Sequence, residues 1–280
     1  MGQKRRPGWV QREMRRAMDD LDWVGRIPAH IWLRLLLVPA GLWLWSVLAQ
    51  LFPTGFFAGP ALTLEALFTL LSDTRRTFPI ALGATLSVYA SGLTLAAAVG
   101  IPAGFLLGSL PLMGRTVSPY LHALAATPVV ALIPLIILTL GLGWEAKVAI
   151  VFLTAVMPVI INTQTGVQRV DPDMREMARA HGLSFWTTVR HVHLPSALPA
   201  IMAGLRLAAV MGLVATAIAD IYTAMTGLGA LLQAFGNGFR MDSYLAVVLT
   251  FAVIGASTTG LLTWIERRLT PPPARRRITH

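Results

Sequence analysis

The chain has 280 residues, 55% of them hydrophobic and only 13% charged, with a net charge of +10 and no cysteine. A soluble domain carries about 25% charged residues, so the apolar excess calls for a bilayer; six spans of about 20 residues would use roughly half the chain and leave no separate soluble domain. The lack of cysteine excludes disulfides, thiolate metal sites and cysteine nucleophiles, and the basic residues, nearly all Arg in tails and short loops beside apolar runs, suit lipid headgroups and not nucleic acid.

Residues 1–30 carry Lys4, Arg5, Arg6, Arg12, Arg15, Arg16 and Arg26, with Val10, Met14, Met18 and Leu21 at helical spacing. The pattern is that of a basic amphipathic helix on the membrane surface, the alternative being a frayed basic tail. The first span is expected over Ile31–Phe52, with Arg34 near its inner end. Ala61–Asp73 is too short to cross and reads as a surface helix on the outer side. Residues 77–114 are free of acid and Lys/Arg, and a second span is expected over Leu82–Leu107. Within it, Gly100, Gly104 and Gly108 repeat every fourth residue around Pro102, a spacing that lets helices approach closely.

The third span is expected over Pro119–Leu140 and the fourth over Val148–Gln164, with Gly141-Leu142-Gly143 as the tight connection. Residues 165–195 are polar, basic and long for a loop. The fifth span, Ser196–Ile221, holds Arg206 near its start and Asp220 near its end. Residues 223–242 read as a glycine-rich outer loop, and Ser243–Ile265 as the sixth span. Arg267, Arg268 and Arg275 to Arg277 close the chain. The membrane region is thus 31–266, between the segment 1–30 and a basic tail, 267–280. With both termini inside, the inner segments hold 17 Lys and Arg; the outer ones hold four, Arg75, Arg76, Lys147 and Arg240. Positive residues collect on the cytoplasmic side, so this orientation is expected.

The loop 171–195 is the most informative stretch. Asp171 before Pro172 starts a helix, because Asp caps the free amides and Pro at the first position loses no hydrogen bond. Gly182 suits the left-handed residue that ends it. Ser184 can cap a second short helix with Phe185, Trp186, Val189 and Val192 as its apolar stripe. Leu194-Pro195 is expected to stop that helix and Ser196 to cap the fifth span. Apolar and charged groups projecting together make a docking knob for a cytoplasmic partner. Phe185 and Trp186 pack either on that partner or on the membrane surface.

This loop resembles the EAA motif of ABC importer permeases, which runs Glu-Ala-Ala, three residues, Gly, nine residues, then Ile-x-Leu-Pro. The chain has Glu176-Met177-Ala178, three residues, Gly182, nine residues, then Val192-His193-Leu194-Pro195. Pro199, Gly204-Leu205-Arg206, Thr127-Pro128, Pro134, Gly141-Leu142-Gly143 and Lys147 extend the likeness toward permeases for nitrate, sulfonate, taurine and bicarbonate. The resemblance implies an all-α type I importer permease with short coupling helices. Glu176, Met177, Ala178, Gly182, Phe185, Trp186, Leu194 and Pro195 would then make the ATPase-coupling contact. It also implies a separate ATPase dimer that binds ATP and Mg, a second and identical permease copy, an external or periplasmic binding protein, and the bacterial inner membrane. The cargo it implies is a small oxyanion or organic acid.

No Gly-x4-Gly-Lys-Ser/Thr run occurs, so this chain has no phosphate-cradling loop, no enzyme site and no cofactor of its own on this reading. Ser87 and Ser91 offer hydrogen bonds in the second span, to the pathway or to a neighbouring helix. Asp220 is costly in a span, and either lines the pathway or pairs with a base. His181, His191 and His193 lack the spacing of a helical metal pair. A rival function is an ion-gradient transporter, which would show inverted repeats and paired membrane acids; one buried acid and no clear repeat are visible.

Overall fold

The computed structural model describes residues 29–73, 77–182, 184–223 and 225–270, and every regular element among them is helical. Segment 1–28, Arg75, Arg76 and the tail 271–280 lie outside the described residues, as do the expectations made for them. The chain forms two units, residues 1–62 and 63–280.

The first unit is built on α1 (Ala29–Gln50), which coincides with the first expected span. This helix is 22 residues long and carries Pro39 within it. After it the chain folds back on α1. The Trp45 indole donates to the Ala58 carbonyl at 3.0 Å, and Phe52 and Phe57 meet edge to face. The short helix α2 (Pro60–Leu71) follows.

The larger unit contains α3 (Thr77–Ser109), α4 (Pro111–Ala126), α5 (Val129–Leu140) and α6 (Trp144–Gln168). Next come α7 (Pro172–Ala180), α8 (Phe185–Thr188) and a π turn (Val189–His193). α9 (Leu194–Thr223), α10 (Leu228–Asn237) and α11 (Met241–Leu269) complete it. Among the described residues four helices are long and apolar enough to cross a membrane, or five if the bent pair α4–α5 is one span.

The centre of the bundle is α6. Its apolar window is 61% buried, against 17% for α11. It lies along α3 because α3 presents a small residue every fourth position, at Gly92, Ala96, Gly100, Gly104 and Gly108, and all are buried. The approach is very close at Gly104, where a Cβ would stand 2.5 Å from the Ile160 carbonyl oxygen. No residue with a side chain fits there. In lipid, helices gain little from hydrophobicity alone, so this contact area carries the association. On the other side α6 meets α9, and Ala155, Val159 and Ala208 share one apolar cluster with Ala96 of α3.

Three expectations need correction. The third span is not one helix: α4 and α5 meet at 85° across Thr127-Pro128. A residue before proline is driven out of the helical region, and Thr127 sits at φ −72°, ψ 126°. Leu194-Pro195 does not stop the preceding helix. The π turn shifts the hydrogen-bond register, Leu194 N–H donating to the Val189 carbonyl, and the chain runs through Pro195 into α9. A π register absorbs the amide that proline lacks. The outer loop 223–242 contains α10, which buries Leu228 and Leu232 against Phe78 of α3 and Val247 of α11.

Candidate functional site: an exposed foot, an apolar cavity and a buried ion pair

The foot begins where α6 ends. Asp171 Oδ1 accepts the Asp173 amide at 3.0 Å, which caps α7. Along α7, Glu176 is exposed and Met174 and Met177 are 42% and 57% exposed. The His181 amide donates to the Met177 carbonyl at 3.1 Å, and Gly182 follows at φ +61°. That left-handed residue turns the chain sharply, at a conformation L side chains adopt only at a cost. Ser184 then caps α8: its Oγ accepts the Thr187 amide at 3.3 Å. Glu176, Met177, Gly182, Leu194 and Pro195 are all exposed, whereas the side chains of Ala178, Phe185 and Trp186 lie outside the described residues.

The foot is anchored at its base. Val170 and Val192 bury against each other. His193 meets the ring of Phe105 edge to face, with centroids 6.2 Å apart. Val167, Ala197 and Ile201 form a cluster with Ile101 and Phe105 of α3. A nine-residue helix is marginal in isolation. Here it stands on a base continuous with α6 and α9, so force on the foot reaches the two most buried spans.

A cavity of about 580 Å³ opens beside the break between α4 and α5. Its walls come from that break and from one face each of α6 and α9. The lining carries no charged side chain; its polar members are Thr127, Thr154 and Asn162. All three donate to backbone carbonyls of the preceding turn, Thr127 to Ala123 O (3.1 Å), Thr154 to Ile150 O (2.8 Å) and Asn162 to Pro158 O (2.8 Å). Leu207, Val210, Met211 and Val214 on α9 give the cavity an exposed apolar wall.

Ser87, Ser91 and Asp220 do not line this cavity. Ser87 is exposed and donates to Ala84 O at 2.8 Å; Ser91 is half-buried. Asp220 is fully buried and holds Lys147 Nζ at 2.8 Å, with the two side chains 1% and 3% exposed. Lys147, counted above as an outer-segment charge, is therefore inside the bundle. Its ammonium also donates to Thr226 O at 2.7 Å and Thr226 Oγ1 at 3.1 Å. Thr85 Oγ1 donates to Asp220 Oδ2 at 2.7 Å and accepts the Leu228 amide at 2.8 Å. The Gly229 amide faces the same Oδ2 at 3.5 Å. Gly227, at φ +100°, lies so close that a Cβ would fall 2.2 Å from Asp220 Oδ2. Sequence reasoning missed Thr85 and Lys147. The usable signal was the acid itself, which in a span must find a base, and the chain has only two lysines. A second ion pair, Arg206 to Glu266, ties α9 to α11.

A membrane bundle with a capped foot between α6 and α9 has the arrangement expected of an importer permease. The chain belongs to the binding-protein-dependent transport system inner membrane component family, whose model matches residues 100–271. It is 32% identical over 188 residues to a choline transport system permease, OpuBD, of Bacillus subtilis, covering 67% of this chain and 83% of that protein. It is 29% identical over 186 residues to a nitrate import permease, NrtB, of Synechococcus elongatus, covering 65% and 66%. Among solved structures it is similar in fold to an inward-facing MetNI methionine ABC transporter, with TM-score 0.63 and 19% identity over 70% of this chain and 98% of that one. As a multi-pass inner-membrane subunit of this kind, it works with a partner ATPase, which binds the ATP, and with a substrate-binding protein.

Proposed function

We propose that two identical copies of this chain form the substrate path of an importer, and that the ATPase grips α7 through Glu176, Met177 and the corner at Gly182. The observation that carries this reading is the foot: a short helix with exposed methionines and carboxylate, capped at both ends and rooted on α6 and α9. Exposed Met beside charge is the surface of a groove-docking helix. Both termini lie on the ATPase side, in keeping with the excess of Arg there. The exposed α9 wall of the cavity leaves a face for a second permease copy to close.

The cargo is a small hydrophilic solute, an oxyanion such as nitrate or an organic ion such as choline. The cavity favours neither sign, because no charge lines it. Relatives for nitrate and for choline resemble the chain to a similar degree. Selection therefore sits with the binding protein, and the path supplies passage. The test is co-expression with the neighbouring ATPase and binding protein, reconstitution, and uptake of labelled nitrate and labelled choline. ATP-dependent uptake of one of them, abolished by Glu176→Lys, is the expected result. Purification without any associated ATPase would refute the importer reading, and uptake unaffected by Glu176→Lys would refute the coupling role.

A further inference from the structure

We propose that Lys147, Asp220 and Thr85 form a permanent clamp that holds α10 and the turn before it onto the bundle, so that this segment travels with α3, α6 and α9 through the transport cycle and does not swing as a gate. The segment lies after the C-terminal end of α9, opposite the foot that precedes α9, where a hinged cover would be placed if there were one. Its backbone is written into the ion pair. The Thr226 carbonyl accepts from the Lys147 ammonium, and the Leu228 amide donates to Thr85, whose hydroxyl in turn donates to Asp220. Lifting the segment would strip a donor and an acceptor from the backbone and leave two charges, 3% and 1% exposed, without their remaining partners. A buried ion pair that keeps all its hydrogen bonds is tolerable in an apolar interior, and one that loses them is not.

Two further observations point the same way. The turn fits Asp220 with no spare room, since Gly227 and Gly229 both lie where any Cβ would collide with that side chain. Behind the polar layer Leu228 is fully buried against Phe78, so an apolar seal backs the clamp. With both carboxylate oxygens occupied inside the chain, Asp220 is a positioning residue and not a ligand for cargo.

The chain has no cysteine, so labels can be placed singly. Spin labels on Ala90→Cys and Gln233→Cys, both exposed positions, report the distance from α3 to α10. With labelled chain diluted into unlabelled chain so that one labelled copy is present per reconstituted complex, the intrachain distance should be narrow, and the same without nucleotide and with ATP trapped. Lys147→Met leaves Asp220 buried without its base and should broaden the distribution and abolish transport. Lys147→Met combined with Asp220→Asn removes both charges, while the amide that replaces the carboxylate keeps a partner in Thr85. This double variant loses the bond to Thr226 but leaves no unpaired charge and keeps the Thr85 link to the Leu228 amide, so it should narrow the distribution relative to Lys147→Met and recover much of the uptake. A shift of several ångströms on ATP trapping would overturn the clamp by showing that α10 opens. So would a double variant that keeps the narrow distribution yet transports nothing, because Asp220 would then be needed by the cargo. The clamp rests on the importer reading only for the ATP arm. If no ATPase associates, that reading fails, while the nucleotide-free comparison of unaltered, single and double variants still decides the clamp.

Discussion

The two ends of α9 solve opposite problems. At its N-terminal end the chain leaves the bundle and exposes methionines and a carboxylate on a short capped helix. At its C-terminal end it takes a lysine and an aspartate out of solvent and ties them to each other and to the backbone of the next segment. Among the described residues of the foot, Met174, Glu176 and Met177 are exposed, which leaves them for a partner. At the clamp end both charges are engaged within the chain. Coupling and stability are therefore separated along one helix, and substitutions at the two ends should be distinguishable by what they damage.

The largest effect on stability is expected at the clamp. Lys147→Met should cost about 3–5 kcal/mol, the usual range when one partner of a buried pair is removed, and should show as a large fall in the thermal midpoint of the purified subunit. Thr85→Val deletes a hydroxyl that serves both Asp220 and the Leu228 amide, and about 1–3 kcal/mol should be lost, read in the same melt. At the foot the scale drops. Gly182→Ala forces a side chain into a left-handed position and should cost about 1–2 kcal/mol locally, with coupling of ATP hydrolysis to transport reduced more than the melt. Glu176→Lys should change the melt least, within about 0.5 kcal/mol, as surface substitutions do. A foot substitution that lowers the midpoint as far as Lys147→Met would break the separation.

The sequence was most readable where the physics is local. Asp171-Pro172 and Gly182 declare the ends of α7 because caps and left-handed residues act within one turn, and the structure has both. The four-residue spacing of Gly100, Gly104 and Gly108 announced a close helix contact, and α6 is what it meets. Legibility failed where partners are far apart in the chain. Lys147 and Asp220 are 73 residues apart, and a lysine in the first turn of α6 looks like any loop-edge charge until the fold brings Asp220 to it. The bend at Thr127-Pro128 was hidden for another reason. Apolar residues run on through it, and hydropathy does not register that a residue before proline has left the helix. Pro195 misled in the opposite direction, because the π turn that lets the helix pass has no marker in the residues that form it. The side chains of Phe185 and Trp186 lie outside the described residues, so their place in the coupling surface rests on the motif.

The most direct test of the separation is to purify the unaltered and Glu176→Lys chains, each co-expressed with the ATPase, and to measure for each the amount of ATPase retained and the melting midpoint of the permease. Glu176→Lys is expected to lose most of the ATPase while its midpoint stays within about two degrees of the unaltered chain, because α7 faces outward and the bundle does not need it. Full retention of the ATPase by the variant would contradict a coupling foot, and so would loss of the ATPase accompanied by collapse of the permease itself.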